Sequence, residues 1–402
     1  MREGWRAVRL GEVLALDVEP VIVSPETEYR LAGVYSFGRG LFRRDPLLGA
    51  RTSYKQLHRL GKGQLVLSKL KAWEGAVAVV GEGFDGFVLS PEFPTFSITG
   101  ALEPEYLSLL CRQSVFWERL RLESRGVGGR RERVHPRRLL EVAIGLPPLA
   151  DQRRIVDLVW SSDLVIGSAR HVASSSTVAA ARVRGEHFSE RSTTTPAGEF
   201  FEITMGRQRS PRHASGDHVV RYLRAANAKD GRLDLSDVKA MNLSPTEQSK
   251  YRLEDGDVLV TEGCGSLEQL GASAQWHAEL SGVVCFQNTL IRLRGIESRS
   301  LSNYAFQWAR WCFEAGRFAA VSSGTNIFHV GAERVRAMAA PDTTLAEQGE
   351  FLQRVEALDS VASHARAVAE RATELRHALV SELLAGNHEI PDSYDALLEP
   401  AS

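Results

Sequence analysis

The chain repeats itself at about half its length, and this repeat restricts the possible folds more than any other feature of its 402 residues. Four short segments of the first half recur in the same order in the second, at offsets between 193 and 198 residues. Their shared order and near-constant offset indicate a duplicated domain. The alternative is a coincidence between two generic α/β domains. The matched pairs are 63–67 with 256–260, 104–107 with 302–305, 124–129 with 322–326, and 149–152 with 345–348.

Each half predicts an α/β domain followed by a long helix. Short apolar runs between glycines, such as 75–80 and 283–286, predict strands, and Pro147 and Pro148 favour a helix start just after them. We therefore predict an α+β fold, with two pseudo-repeated α/β domains separated by two long helices that form an antiparallel coiled coil. The predicted segments are a first domain at 1–147, a helix at 148–190, a second domain at 191–341, a helix at 342–387, and a loosely ordered tail at 388–402.

Apolar residues recur at coiled-coil spacing in both helices. In the first helix they form a stripe of mostly small residues, which residues 174–177 interrupt with serine and threonine. The two stripes predict that the helices pack on each other, although each helix packing on its own domain is the alternative. The first stripe consists of Ile155, Val159, Ser162, Ile166, Ala169, Ala173, Ser176, Ala180 and Val183. The second consists of Phe351, Leu358, Ala365, Ala372 and Leu379, interleaved with Val361, Val368 and Leu375.

Basic residues are clustered, although the formal net charge is only −1. Arginine can bind a phosphate or the guanine edge with two parallel hydrogen bonds, so clusters present in both halves favour nucleic-acid binding. A single charge run is equally consistent with a solvated surface. The polar segment with Thr325 and Asn326 suits either an adenine edge or a plain turn. The candidate DNA-binding residues are Arg43, Arg44, Arg51, Lys55, Lys69, Lys71, Trp73, Arg125, Arg130, Arg131, Arg207, Arg209, Arg212, Arg224, Thr325 and Asn326.

Four cysteines without a C-x-x-C pair argue against a disulfide framework or a zinc site. No apolar run approaches the roughly 18 residues that span a bilayer. These features predict a soluble, cytoplasmic protein without a membrane segment. They also predict no metal site.

Several motifs together resemble the specificity (S) subunits of Type I restriction–modification systems. The segments LSKLKAWEGA at 67–76 and LSPEF at 89–93 are similar to the centre of one class of target-recognition domain in that family. The junction GLPPLADQRRIV at 145–156 resembles the family's helix start, with Asp151 in place of the usual Glu. EDGDVLV at 254–260 and SGTN at 323–326 are similar to a second class of recognition domain. The resemblance covers nearly the whole chain.

The resemblance implies that each half is a target-recognition domain for one part of a split double-stranded DNA target. The two helices would separate these domains and bind two adenine methyltransferase subunits, and a motor–nuclease subunit would join them for restriction. S-adenosylmethionine, ATP and Mg²⁺ would be bound by those partner subunits, with no cofactor on this chain. The second junction, at 341–345, lacks paired prolines, which predicts a less sharp helix start. The helix residues expected to take part in subunit binding are Ile155, Val159, Ile166, Phe351, Leu358, Val368, Leu375 and Leu379.

The sequence carries no recognisable catalytic motif. It has no G-x-x-x-x-G-K-[ST] phosphate loop and no nucleophile elbow, and near Asp257 and Glu262 the position of a nuclease lysine is occupied by Cys264. We therefore expect no catalytic residues and a DNA-binding role. The alternatives are a coiled-coil scaffold or protein-interaction subunit that does not read DNA sequence, and an unrecognised nuclease.

Overall fold

The computed structural model describes residues 4–123, 133–189, 193–211 and 215–398. The chain divides into two compact units, of which unit 1 spans Met1–Ser168 and Val368–Ser402, and unit 2 spans Ala169–Ala367. Each unit combines β-sheets with helices, which confirms the predicted α+β class. The predicted segments assign each long helix to a region of its own, whereas in the structure each unit contains about half of both long helices.

Unit 1 is built around a four-stranded antiparallel sheet in the order β10-β9-β12-β2 and a three-stranded sheet in the order β11-β8-β3. Alternating apolar residues of β9 and β12 face its buried core. The strands are β1 Arg6–Arg9, β2 Leu14–Leu16, β3 Glu19–Ile22, β4 Glu28–Tyr29, β5 Ala32–Val34, β6 Leu41–Arg43, β7 Leu47–Leu48, β8 Gln56–Arg59, β9 Leu65–Leu67, β10 Val77–Val79, β11 Val88–Leu89, β12 Thr95–Ile98 and β13 Ala143–Leu146.

Unit 2 has a four-stranded sheet in the order β15-β24-β20-β22 and a three-stranded sheet in the order β19-β16-β23. Its strands are β14 Thr194–Pro196, β15 Phe201–Met205, β16 Val219–Leu223, β17 Ala228–Lys229, β18 Arg232–Leu233, β19 Lys239–Asn242, β20 Val258–Thr261, β21 Gly263–Cys264, β22 Ser273–Gln275, β23 Val284–Phe286, β24 Leu290–Gly295, β25 Phe328–His329 and β26 Ala339–Pro341.

The two units share one strand order, which confirms the repeat. In chain order the four-stranded sheets correspond strand for strand, and β9 and β20 contain the matched apolar segments at 63–67 and 256–260. The first strand of each domain pairs with the strand that precedes the long helix, β1 with β13 and β14 with β26. The three-stranded sheets differ, because β16 and β23 are parallel whereas the unit 1 sheet is antiparallel throughout.

The helices also recur at matching places in the two units. A helix follows each four-stranded sheet, α1 in unit 1 and the aromatic-rich α6 in unit 2, and buries Tyr106 or Tyr304 completely. The helices are α1 Pro104–Cys111, α2 Ser114–Leu122, α3 Pro136–Leu139, α4 Leu149–Ser189, α5 Pro245–Tyr251, α6 Ser302–Glu314, α7 Arg317–Ala320, α8 Ala332–Ala337, α9 Leu345–Ala385 and α10 Asp395–Leu398.

Both long helices begin sharply and run without a break. The expectation of a less sharp start for α9 is wrong, because Thr344 caps it. The Thr344 side chain accepts from the Glu347 N–H, and the Glu347 carboxylate accepts from the Thr344 N–H at 2.8 Å. The polar stretch 174–177 does not interrupt α4, since the Thr177 hydroxyl donates to the Ala173 carbonyl within the helix.

The two long helices form the predicted antiparallel coiled coil. In unit 1, Ile155 and Val159 of α4 share a core with Val380 and Leu383 of α9, and Arg376 donates to Asp163 at 2.9 Å. In unit 2, Arg366 donates to Thr177 at 2.7 Å, and the His187 ring stacks on Phe351 at 4.0 Å. In each unit, residue numbers fall along α9 as they rise along α4. The stripe predicted on α4 is buried or half-buried throughout.

The predicted register of α9 is wrong for one of its two series. Val361, Val368 and Leu375 are exposed, whereas residues one position further along the chain, Ala362 and Ala369, are buried. The other series, from Phe351 to Leu379, is buried or half-buried as predicted. The reason is size: the small residues of α4 allow close approach, and a close seam accommodates alanine better than valine or leucine.

The tail is more ordered than predicted over the described residues 388–398. Arg154 of α4 binds Asp395 with two hydrogen bonds and Asp392 with one, each at 2.6 Å. The Tyr394 hydroxyl donates to Asp157 at 2.7 Å, and Ile390 is buried. The expectation of a loosely ordered tail is therefore wrong here, since charged and apolar groups both hold this segment on α4. Residues 399–402 lie outside the described residues.

Candidate nucleic-acid interface

In unit 1 the tip of the β5–β6 hairpin, residues 35–40, presents aromatic and basic side chains to solvent. The tip turns sharply because Gly38 and Gly40 have positive φ angles of 62° and 81°. A Cβ atom on Gly38 would lie 2.7 Å from the Arg112 Cα, so a larger residue does not fit there. The Tyr35 N–H closes the tip by donating to the Gly40 carbonyl at 2.9 Å.

A short 3-10 turn, Ala72–Glu74, supports this tip from below. The Phe37 N–H donates to the Glu74 carbonyl at 2.7 Å, and the Gly38 N–H donates to the Gly75 carbonyl at 3.1 Å. The Ser36 hydroxyl donates to the Glu74 carboxylate at 3.4 Å. Two segments that lie far apart in the sequence are thereby fixed side by side.

Cations lie on or beside aromatic rings throughout this region. The Arg39 guanidinium is 4.7 Å from the centre of the Tyr35 ring, while Lys71 and Arg121 lie 5.5 and 5.7 Å from the centre of the Trp73 ring. Glu74 is the carboxylate that pairs with this set, through Lys71 at 2.8 Å. We call these residues the hairpin cluster, namely Tyr35, Phe37, Arg39, Lys71, Trp73 and Arg121.

The residues predicted to bind DNA in unit 1 fall into three groups where the structure describes them. Lys69 is half-buried and donates to the Pro91 carbonyl at 2.7 Å, which is a structural role. Lys71 and Trp73 belong to the hairpin cluster. The others are exposed, and within the described ranges no hydrogen bond or ion pair engages their side chains, so they are available to phosphates; these are Arg43, Arg44, Arg51 and Lys55. The predicted residues Arg125, Arg130 and Arg131 lie outside the described residues.

In unit 2, carboxylates hold two of the predicted arginines. Arg207 pairs with Glu247 at 2.7 Å, and Arg224 pairs with Asp237 at 2.6 Å. A backbone hydrogen bond from Ser244, followed by the hydrogen bond from Arg207, lowers the pKa of Glu247, so this pair is charged at neutral pH. Arg209 is exposed, and Arg212 lies outside the described residues.

Thr325 and Asn326 lie on an exposed loop with a tightly fixed base. Ser323 and His329 exchange two backbone hydrogen bonds of 3.0 and 2.8 Å, and Arg334 donates to the Ser323 hydroxyl at 2.6 Å. Gly324 has a φ of 118°, where a Cβ would meet the Ile327 carbonyl oxygen. The loop therefore holds two polar side chains outward on a rigid support, as base-edge contacts require.

The sequence analysis predicted Trp73 but missed the other two aromatic residues of the hairpin cluster, Tyr35 and Phe37. Arg39 belongs to a basic run, but Tyr35 and Phe37 are uncharged, so charge clustering does not identify them. The usable signal was the pattern Phe-Gly-Arg-Gly at 37–40, in which two glycines around an arginine mark a sharp, exposed turn.

The exposed apolar residues of the long helices form a second kind of surface. In unit 1, Val368 is 50% exposed and Leu375 69%, and Trp160 and Leu164 of α4 are likewise exposed. In unit 2 the exposed members are Val172, Val178 and Val361. Apolar side chains at this density on a helix surface are typical of protein–protein contacts.

The described parts of the chain show neither a metal site nor a membrane span. Within them, no group of histidine, cysteine, aspartate or glutamate side chains is arranged to hold a metal ion. No helix among the described residues is both long and apolar enough to cross a bilayer.

Comparison with known proteins gives matches at the level of three-dimensional structure. No protein-family model matches the sequence, and no curated protein matches it. The HsdS subunit from Thermoanaerobacter tengcongensis superimposes with a TM-score of 0.58 at 18% identity, covering 96% of this chain and 98% of that one. The chain has the fold of a Type I restriction–modification S subunit.

Two further structures agree with this S-subunit fold. One, described in a study of complex assembly and conformational transition of the type I R-M system, has a TM-score of 0.63 at 18% identity and covers 96% of this chain and 98% of that one. The S subunit from M. genitalium has a TM-score of 0.52 at 13% identity, with 94% and 96% coverage. The resemblance seen in the sequence is thus confirmed for the S-subunit fold over nearly the whole chain.

Proposed function

We propose that this chain is a sequence-specific DNA-binding subunit that recognises a two-part target and positions adenine methyltransferase subunits on it. The observation that carries the proposal is the duplication. Two domains with one strand order occur in a single chain, within the fold of S subunits. A duplicated reader joined by continuous helices suits a target whose two specific parts are separated by unread bases.

The exposed cations supply the affinity for DNA in this proposal. Arg43, Arg44, Arg51, Lys55 and Arg209 are exposed and contact phosphates, which position the protein on the duplex without reading its sequence. Base reading belongs to Thr325 and Asn326 in unit 2 and to the hairpin cluster in unit 1. Asparagine pairs with adenine through two hydrogen bonds in the major groove.

The exposed apolar residues of α4 and α9 bind the partner proteins in this proposal. Two adenine methyltransferase subunits occupy these helix surfaces, and a motor–nuclease subunit joins them for restriction. The partners carry S-adenosylmethionine, ATP and Mg²⁺, and this chain contributes recognition without catalysis. An assembly that acts on chromosomal DNA would work in the cytoplasm.

The test is a selection from random DNA. The chain, purified with its methyltransferase partner, is mixed with a library of random duplexes at physiological salt, and the bound fraction is sequenced. We expect a motif with two specific parts and a fixed number of unspecified bases between them, bound with a steep salt dependence. Equal recovery of all sequences would indicate a scaffold or nonspecific binder and would refute the proposal.

A further inference from the structure

Phe37 combines two features that a purely structural residue avoids. Its side chain is 62% exposed, although phenylalanine is among the residues most often buried. Its backbone has a φ of 63°, in the left-handed region that bulky side chains disfavour. Among the described non-glycine residues, only Ala278 shares a positive φ. An exposed ring on a strained backbone points to a function at this position.

The described contacts around Phe37 hold its ring outward. Backbone hydrogen bonds from Phe37 to Glu74 and from Gly38 to Gly75 fix the strained turn. The ring meets Trp117 edge-on with centres 6.3 Å apart, and that contact leaves most of its surface in solvent. Tyr35 beside it stacks on Phe42 at 4.1 Å and is itself 41% exposed.

The charges around the ring identify the class of partner. Arg39, Lys71 and Arg121 lie within the same cluster, and the ion pairs of the described residues place one carboxylate among them, Glu74, which pairs with Lys71. Apolar side chains surrounded by cations are typical of proteins that insert a side chain between base pairs and bind the adjacent phosphates. A protein partner of ordinary composition would not require this excess of positive charge.

We infer that the Phe37 ring inserts between adjacent base pairs of the half-target bound by unit 1 and unstacks them. This inference rests on the proposed function, and it adds a recognition mode that depends on how easily a base step deforms. The flanking cations bind the phosphates of the opened step. Flexible pyrimidine–purine steps are the sequences that such a wedge favours.

The experiment uses the complex of the full chain with its methyltransferase and the target found by selection. Single 2-aminopurine bases are placed in turn along the target, since the fluorescence of this base rises when it unstacks. We expect a several-fold rise at one or two adjacent positions with the wild-type complex. Phe37→Asn, which removes the ring but suits a positive φ, abolishes that rise and binds the target about tenfold more weakly, or about 1.4 kcal/mol. The matched control Val115→Asn, at an exposed apolar residue of α2, changes neither.

A second measurement separates the wedge from a structural or protein-binding role. Target DNA with an abasic site at the responding step is already unstacked, so Phe37→Asn regains affinity to within about twofold of wild type. Its unfolding temperature stays at or above the wild-type value, because the strained turn relaxes. Loss of methyltransferase binding in the variant, or a lower unfolding temperature with unchanged DNA affinity, overturns the inference.

The inference and the proposed function fail in different ways. If the wild-type complex selects a motif but no 2-aminopurine position responds, the wedge is refuted and the recognition function stands. If the complex selects no motif, the recognition function fails and the wedge fails with it.

Discussion

The side-chain oxygen of Gln152 accepts a hydrogen bond from the backbone N–H of Glu103 at 2.8 Å, which ties the start of α4 to the start of α1. The Gln152 amide nitrogen donates to the carbonyls of Ala101 and Pro147. In unit 2, Gln348 makes the corresponding contacts, to the Leu301 N–H at 3.0 Å and the Arg299 carbonyl at 2.8 Å. Both side chains are fully buried. Each repeat thus uses a buried glutamine amide to join the start of its long helix to the segment around the start of the helix that follows its four-stranded sheet.

Removing one of these amides leaves backbone groups of the junction without their side-chain partner. We predict that Gln348→Ala lowers the free energy of unfolding by about 2–3 kcal/mol, because the Leu301 N–H and the Arg299 carbonyl lose their partner. Gln353→Ala, at an exposed glutamine of α9, should be neutral. Urea unfolding measures both, and faster hydrogen exchange at the Leu301 amide should accompany the first. Equal stabilities of the two variants would show that the buried amide is dispensable.

A buried arginine joins α4 to α6 and α9 within unit 2. Arg184 is fully buried and binds the Glu314 carboxylate through two nitrogens, at 2.7 and 3.0 Å, and Asp359 at 3.4 Å. We predict that Arg184→Met destabilises the chain by about 3 kcal/mol. Both carboxylates lose their hydrogen bonds from Arg184 and are left with the longer contacts with Arg310, at 3.4 and 3.5 Å. Arg182, two residues earlier, is exposed and pairs with Glu186, so Arg182→Met should cost less than about 0.5 kcal/mol. Thermal unfolding of both variants tests this, and a comparable loss in Arg182→Met would contradict it.

Substitution by leucine should have different effects on stability at two adjacent residues of α9. Ala369 lies in the seam and Val368 on the solvent side. Ala369→Leu should destabilise by about 1–3 kcal/mol, because the helices have no room for three more carbons. Val368→Leu should stay within about 0.5 kcal/mol of wild type. If Val368→Leu proves the more damaging in chemical denaturation, the register first predicted from the sequence is right and the one described here is wrong.

The docking of residues 390–395 on α4 should depend on pH in two ranges. Hydrogen bonds from Arg154 lower the pKa of Asp395, so this contribution is complete above about pH 4, the ordinary Asp value, and is lost as pH falls further. Burial, followed by the hydrogen bond to Asp157, raises the pKa of Tyr394 to about 12. Its contribution is therefore complete below pH 10, the ordinary Tyr value, and is lost as pH rises through about 12.

Hydrogen exchange of the tail peptide measures this docking. Protection at 390–395, the ratio of the intrinsic to the measured exchange rate, should be high at pH 7 and lower at pH 3. In Asp395→Asn it should be reduced at both values, because only the described ion pairs of Arg154 with Asp392 and Asp151 remain. The intrinsic exchange rate at each pH, taken from an unstructured peptide of the same sequence, provides the correction. Protection that is the same at both pH values in wild type and variant would exclude the ion pair as the tail's anchor.

The architecture could be predicted from the sequence because it depends on patterns that the chain shows twice. Strand runs such as 63–67, the helix starts near residues 149 and 345, and the stripe from Ile155 to Val183 each appear as local regularities. The register of α9 could not be predicted by choosing the larger apolar residues, since the close approach of two helices selects alanine, and closeness is a property of the pair. The order of the tail could not be predicted for a related reason. It depends on the contact between Arg154 and Asp395, which lie 241 positions apart in the sequence.

The candidate interface could likewise be predicted from the sequence only in part. Exposed cations such as Arg44 and Arg209 could be predicted from the clustering of basic residues in the sequence. Lys69 and Arg207, in contrast, contact Pro91 and Glu247 within the protein. These contacts could not be predicted, because the partners lie far apart in the sequence. The Phe37 ring was missed because an apolar residue is assigned to a core unless the backbone angle is known.

The most direct measurement is a map of N6-methyladenine across the genome of cells that express this chain with its methyltransferase partner. The predicted result is methylation at one motif with two specific parts separated by a fixed gap, which disappears when the chain is deleted. Replacing Thr325 and Asn326 by alanine should relax one part and leave the other unchanged. Methylation that persists without the chain, or that follows one uninterrupted motif, would contradict the assignment of this protein as a duplicated DNA reader.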